Sequence, residues 1–235
     1  MKPRVGLFVT CLVDLMRPQV GFAAVKLLEE AGCAVEVPAA QTCCGQPAWN
    51  SGANRHAADI ARQVIDAFEG YDYIVAPSGS CAGMLCKHYP EVLEGDPAYG
   101  PRAKALAAKS YELISFLVNE RGFTRACAVK SACYHDSCSS LREMGVKEEP
   151  RRVINGLTEL AQPQICCGFG GLFSVKYPEI SERMADDKIA DIRATGATTL
   201  IGPDMGCLLH LAGRMERQGA KLEVRHIAEV LAEES

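Results

Sequence analysis

A pair of adjacent cysteines followed by glycine occurs twice in this chain, in QTCCGQP at 41–47 and in QICCGFGG at 164–171. Further cysteines flank each pair in the same order. The corresponding cysteines are 127, 123 and 126 residues apart, measured from Cys11 to Cys138, from Cys43 to Cys166 and from Cys81 to Cys207. Near-constant spacing indicates an internal duplication, so we expect the chain to fold as two copies of one plan.

Each half alternates strand patterns with helix patterns. Residues 53–68 place apolar side chains at helical spacing on one face, 21–31 form a second predicted helix, and 178–194 open with Pro178, a typical first helical residue. The apolar runs LFVT, YIVAP and TLIGP are continuous, as in parallel strands that are covered on both faces. We therefore predict an α/β fold of two pseudo-repeated Rossmann-like lobes, each a small parallel sheet flanked by helices.

We place the first lobe at residues 1–120 and the second at 121–235, and call these segments the first and second halves. The stretch EGDPAYGPRAK at 94–104, rich in glycine and proline, is predicted to be a loop near their junction.

Twelve cysteines among 235 residues predict metal binding or redox chemistry, because no secretion signal accompanies them. The apolar start of the chain is short and is interrupted by Asp14, which indicates a buried strand. No run reaches the roughly 20 apolar residues that span a bilayer, so no transmembrane segment is expected. The net charge of −4 and the lack of a basic cluster give no indication of nucleic-acid binding.

Four of the cysteines close apolar strand runs, and each CCG pair precedes a helix. Ligands of parallel α/β sheets bind beyond the carboxyl ends of the strands. We therefore predict two four-cysteine metal sites: the first site is Cys11, Cys43, Cys44 and Cys81, and the second site is Cys138, Cys166, Cys167 and Cys207.

Four thiolates suit either zinc or an iron–sulfur cluster. Neighbouring side chains diverge in an extended segment, so bonds to two irons of one cluster strain the backbone less than two bonds to one ion. The glycine after each pair lets the backbone turn and approach the cluster closely. We favour one [4Fe–4S] cluster per site, two in all, with Zn²⁺ in one or both sites as the alternative.

The remaining cysteines have no counterparts in the repeat. We expect Cys33, Cys127 and Cys133 to pack in the core, and Cys86 to lie near the first site without being a ligand.

Two histidines and one aspartate are further candidates. His210 follows Cys207 by three residues, which places both on one helical face and makes His210 a possible additional ligand. His135 and Asp136 are candidates for contacts to the ligands or for proton transfer, and Asp136 is also a candidate helix cap.

The repeated C…CCG…C plan resembles the cysteine-rich CCG domain that is found in heterodisulfide reductase. It also resembles iron–sulfur proteins of glycolate and glycerol-3-phosphate oxidation systems. The resemblance is closer still to the lactate utilization protein A family, and it covers essentially the whole chain through FVTCLVD, CCGQPAWNSG, PSGSC, CCGFGGLFSVK, IGPDMGCL and HIAEVL. It implies a cytoplasmic iron–sulfur protein that oxidises L-lactate to pyruvate with two companion proteins, one of them a ferredoxin-like iron–sulfur protein.

The chain departs from the reductase pattern at one position in each half. The reductase has a fifth cysteine where Met84 and His210 stand here. An ordinary cubane on four cysteines is therefore the expected cluster.

Three functions follow from these patterns. The first is electron transfer through two clusters, without a complete lactate site in this chain, since no nucleotide-phosphate loop is present. The second is thiol–disulfide reduction of the heterodisulfide type. The third is a zinc-stabilised scaffold that docks partners.

Overall fold

The computed structural model describes residues 1–220 and 222–233, which contain two four-stranded sheets. The first sheet is formed by β1 (Arg4–Leu7), β2 (Ala34–Glu36), β3 (Tyr73–Ala76) and β4 (Ser110–Glu112). The second is formed by β5 (Cys127–Tyr134), β6 (Ile154–Thr158), β7 (Thr199–Gly202) and β8 (Glu223–His226). Their strand orders, β2-β1-β3-β4 and β6-β5-β7-β8, are one order repeated, and all neighbouring strands are parallel. The predicted α/β class with two small parallel sheets is confirmed.

Helices flank both sheets. Those of the first half are α1 (Cys11–Met16), α2 (Gln19–Glu30), α3 (Gln46–Asn50), α4 (Asn54–Phe68), α5 (Gly79–Gly83), α6 (Tyr89–Val92), α7 (Tyr99–Ala107) and α8 (Leu113–Ser115), with the π-helical segments π1 (Met84–His88) and π2 (Phe116–Glu120). Those of the second half are π3 (Ser139–Glu143), α9 (Glu148–Val153), α10 (Phe173–Lys176), α11 (Pro178–Ala194), α12 (Met205–Arg217) and α13 (Ile227–Glu233). Within the described residues, no helix is both long and apolar enough to cross a bilayer.

The three helices predicted from the sequence are present. Helix α4 buries five residues at helical spacing, which is why its apolar stripe was readable: Ala57, Ala61, Val64, Ile65 and Phe68. Helix α11 begins at Pro178, whose missing N–H is not needed in a first turn. Helix α2 begins two residues before the predicted start at 21 and ends at Glu30.

The strands end earlier than predicted, and the cysteines expected at their ends lie at the start of the following helix. Cys11 is in α1, Cys81 in α5, Cys138 before π3 and Cys207 in α12. A residue of the helix-capping type precedes each of them: Thr10, Ser78, Ser137 and Asp204. The hydroxyls of Thr10 and Ser78 accept hydrogen bonds from the N–H groups of Val13 and Cys81, which starts the helix and ends the extended backbone.

The predicted loop at 94–104 is wrong in its second part, because α7 covers 99–104. Pro101 lies in the first turn of α7, where its missing N–H costs no helical hydrogen bond. The chain then forms β4 of the first sheet, and β5 of the second sheet begins at Cys127.

Among the residues that the structure describes, buried apolar side chains form two clusters. The larger one joins the halves, since it runs from Leu7 and Leu27 to Ile227 and Leu231. The smaller one lies within the first half around Phe8 and Phe68. The predicted burial of Cys33, Cys127 and Cys133 is confirmed.

Candidate metal centre

The structure brings the eight predicted cysteines together in two sets of four. In the first site the Sγ atoms of Cys11 and Cys43 are 3.9 Å apart, and in the second site those of Cys138 and Cys166 are also 3.9 Å apart. In each site the first two cysteines are partly exposed and the last two are buried. The grouping is the one that the repeat predicts, whereas the role of these thiols as metal ligands stays a prediction.

The glycine after each cysteine pair has the left-handed backbone that the sequence indicated. Its φ is 84° at Gly45 and 87° at Gly168. This turn aims the Gly45 N–H at Cys43 Sγ (3.5 Å) and the Gly168 N–H at Cys166 Sγ (3.4 Å). Both N–H groups favour a thiolate at these two positions.

The thiols of the first site lie so close together that their pKa values differ from one another. Hydrogen bonding with Cys11 lowers the pKa of Cys43 to about 2. Hydrogen bonding with Cys43 raises the pKa of Cys11, and hydrogen bonding with Cys43 and Cys81 raises that of Cys44. Without a cation, ionisation of one thiol therefore opposes ionisation of its neighbours.

The second site repeats this behaviour. Hydrogen bonding with Cys138 lowers the pKa of Cys166 to about 2, while hydrogen bonding with Cys166 raises the pKa of Cys138 and of Cys167. A bound metal cation removes this conflict, because it allows several neighbouring thiols to be thiolates together. The donor set and its crowding therefore fit a metal or metal cluster in each half.

Both sites open on the same cavity, which has a volume of about 530 Å³ and is lined by all eight cysteines. Its wall also includes apolar side chains from both halves, among them Leu12, Pro47, Phe169 and Met205. The two thiol sets therefore face one shared space that is lined by both halves.

Asp204 connects the halves beside this cavity. Its side chain is 3% exposed, and Oδ1 accepts hydrogen bonds from the hydroxyls of Ser78 (2.5 Å) and Ser80 (2.8 Å) in the first half. Oδ2 accepts a hydrogen bond from the Ser137 hydroxyl in the second half. Sequence reasoning missed this network. Its signal is that Ser78 and Asp204 occupy matched positions, each three residues before the last cysteine of its site.

His226 makes a second connection at the same boundary. Its Nε2 lies 3.1 Å from the Pro77 carbonyl oxygen and 2.8 Å from that of Pro203, residues at matched positions of the repeat. The Ala228 N–H donates to Nδ1, so Nε2 carries the proton. Burial lowers the pKa of His226 and keeps the ring neutral.

Three residues that the sequence analysis considered beside the eight cysteines, His210, Met84 and Cys86, do not line the shared cavity. The Nε2 atom of His210 is 3.2 Å from Ser181 Oγ, and His210 is not among the residues that line the cavity. Its ligand role stays a prediction. Met84 is fully buried in the core of the first half. Cys86 Sγ donates to the Ser110 carbonyl and lies outside the shared cavity.

His135 and Asp136 are both buried, but only His135 contacts the thiols. Its ring nitrogen, Cys167 Sγ and Cys207 Sγ all lie within 4.8 Å of one another. Asp136 forms a two-point ion pair with Arg151, at 2.6 and 2.8 Å, and is not a helix cap.

Two α/β halves with one thiol set each define a tandem cysteine-rich protein. A family model described as a cysteine-rich domain, CCG, matches residues 5–86 and 132–212. The chain is 50% identical to lactate utilization protein A of Geobacillus kaustophilus (strain HTA426), and the match covers 97% of this chain and 98% of that protein. It is 46% identical to lactate utilization protein A 2 of Bacillus cereus (strain AH820) over the same shares.

The chain therefore belongs to the lactate utilization protein A family of cysteine-rich CCG proteins.

Proposed function

We propose that this chain is an iron–sulfur electron-transfer subunit of a cytoplasmic multi-protein system that oxidises L-lactate to pyruvate. It consists of two lobes, at 1–120 and 121–235, and each lobe holds one [4Fe–4S] cluster on its four-cysteine site. Companion subunits, including a ferredoxin-like iron–sulfur protein, complete the reaction. The names of its relatives support the part in lactate utilization.

The observation that carries the proposal is the shared cavity. All eight cysteines line it, so metal centres held by the two sites would face each other across one space. Sites that serve only folding are normally closed by their ligands. Two centres that open on a common space suit the passage of electrons between them and a partner or substrate.

The bound clusters would supply one-electron chemistry, and the residues of this chain would set the conditions. The eight cysteines hold the clusters, and the N–H groups of Gly45 and Gly168 stabilise thiolate charge. Burial of the last two cysteines of each site keeps water from half of the ligands. Burial and hydrogen bonds of this kind tune reduction potentials.

Anaerobic purification followed by iron, zinc and sulfide analysis tests the proposal. We expect about eight irons and about eight sulfides per chain, as two four-iron clusters require. We also expect an EPR signal that changes on reduction with dithionite. Zinc without iron would contradict electron transfer, and a colourless, metal-free protein that reduces disulfides would favour the thiol–disulfide function instead.

One distance favours a second candidate, the zinc-stabilised scaffold. Four thiolates bound to one Zn²⁺ at 2.3 Å are separated by about 3.8 Å, the edge of the tetrahedron. The Sγ separations of 3.9 Å between Cys11 and Cys43 and between Cys138 and Cys166 match that edge. A stoichiometry of one or two zinc ions per chain, without sulfide, would establish this candidate.

A further inference from the structure

His135 is a buried polar side chain that makes no hydrogen bond of standard geometry within the described residues, and its polar neighbours are thiols of the second site. It is 0% exposed, and within the described residues neither Nδ1 nor Nε2 has a hydrogen-bond partner. A neutral imidazole carries one N–H donor and one nitrogen acceptor, and leaving both unsatisfied in the interior is costly. The ring is therefore expected to bind something.

The surroundings of the ring identify what it binds. A ring nitrogen of His135 and the sulfurs of Cys167 and Cys207 all lie within 4.8 Å of one another, close enough to share one metal ion. Both thiols belong to the second site and are buried, as His135 is. Imidazole nitrogen and thiolate sulfur are accepted together by iron and by zinc.

The first half contains a natural comparison. The backbone N–H of Phe8 donates to the Val75 carbonyl of the first sheet at 2.8 Å, and that of His135 donates to the Ile201 carbonyl of the second sheet at 2.8 Å. The two residues are thus at matched positions of the repeat. Phe8 is 0% exposed and packs against the ring of Phe68, so the first half offers only carbon where the second offers nitrogen.

Neighbouring polar groups are engaged elsewhere. Both carboxylate oxygens of Asp136 bind Arg151, and Lys188 Nζ donates to the Gln162 carbonyl at 2.9 Å. His210, the histidine that helical spacing singled out, contacts Ser181.

We infer that His135 is a nitrogen ligand of the metal at the second site, so that the two sites differ in their ligands. The first site binds through thiolates alone, and the second binds through thiolates and one imidazole. The inference rests on the proposed metal binding. Replacing a thiolate ligand with neutral imidazole raises the reduction potential of an iron–sulfur centre. With His135 in the place of one of the four thiolates, the second site accepts electrons more readily than the first.

Pulsed EPR on protein labelled with ¹⁵N-histidine tests the inference. The first site is removed with Cys44→Ser, so that only the second site contributes a signal. We expect a nitrogen hyperfine coupling of directly bound imidazole, complete loss of it in His135→Phe, and no change in His210→Gln or in the exposed control His56→Gln. The phenylalanine is the residue that the first half carries at this position, and His135→Gln provides a smaller polar replacement with the same expected loss.

Three outcomes overturn the inference. The first is an unchanged coupling in both His135 variants, and the second is a metal-loaded second site without any nitrogen coupling. If the second site holds zinc, Co²⁺ added to the metal-free protein serves as the paramagnetic probe, with the same expected loss. The third is a second site that binds neither iron, zinc nor Co²⁺. This last result rejects the proposed metal binding itself, whereas the first two reject only the role of His135.

Discussion

The two sites share one arrangement of cysteines but have different surroundings. Among the described residues the first half buries one charged side chain, Glu112, whereas the second half buries four: Asp136, Lys188, Asp191 and Asp204. At matched positions Phe8 and Ser78 of the first half correspond to His135 and Asp204 of the second. The repeat thus keeps the thiols and changes the polarity around them, which is the means by which proteins give two similar centres different potentials.

The largest expected effect is a loss of about half of the bound metal when one cysteine of either site is replaced. Cys44→Ser is expected to remove the metal of the first proposed site and Cys167→Ser that of the second, because each removes a buried thiol of that site. Each variant should keep about half of the metal of the wild type, as two independent four-cysteine sites require. Metal analysis measures this, with Cys86→Ser as the control that keeps all of it.

A loss of all metal in either single variant would show that the sites bind cooperatively. An unchanged content in both would show that the two sets of four are wrongly assigned.

Replacing Asp204 tests how much its hydrogen bonds to both halves contribute to the stability of the protein. Asp204→Ala leaves three serine hydroxyls without their carboxylate, and we expect a loss of on the order of 3 kcal/mol in the free energy of unfolding. Ser80→Ala removes one of these partners without removing the helix cap at Ser78, and should cost about 1 kcal/mol. Urea unfolding followed by circular dichroism measures both, with the exposed Asp14→Ala as control. Equal losses in the two variants would contradict the central role of Asp204.

Glu112 and His226 end the matched edge strands β4 and β8 and respond to pH in opposite directions. Burial raises the pKa of Glu112 to about 7. The unfolded chain therefore releases this proton more readily, and stability falls as the pH rises from about 4.5 to about 7. Glu112→Gln should be more stable than wild type by on the order of 3 kcal/mol at pH 8, with little difference at pH 4.5. If urea unfolding shows the same stability difference between wild type and Glu112→Gln across this pH range, burial does not raise the pKa of Glu112.

The smallest expected effect is a change in the pH dependence of stability when His226 is replaced. Burial lowers its pKa, so the unfolded chain binds the proton more readily and stability is lost as the pH falls below about 6.5. Compared with wild type, His226→Gln should lose less stability between pH 7.5 and pH 5.5, by about 1 kcal/mol. Urea unfolding at both pH values measures the difference, and His56→Gln should follow the wild type. Parallel pH profiles of wild type and His226→Gln would show that the ring is not held neutral.

Much of the fold could be predicted from the sequence, because the duplicated cysteine pattern and the helical spacing of apolar residues can be read directly from it. The offsets between cysteines predict the two sets of four, and the apolar stripe of α4 predicts that helix. Strand ends could not be placed correctly, since Thr10 and Ser78 start helices inside runs that read as continuous strand.

The surroundings of the second site were harder to predict. Helical spacing from Cys207 points to His210, but packing of α12 against α11 directs that ring to Ser181. His135 lies directly after β5 and reaches the thiols from there. The pairing of β5 with β7 brings it beside α12, the helix that contains Cys207. Asp204 meets serines of both halves, so its partners follow from the tertiary fold and from no local pattern.

The central claim is that the two sites hold different redox centres, and a reductive titration of the anaerobic protein followed by EPR tests it most directly. We predict two separate reduction steps. The step at higher potential should disappear in Cys167→Ser and the step at lower potential in Cys44→Ser. One step shared by both sites, or a protein that contains zinc and gives no reducible signal, would contradict the account.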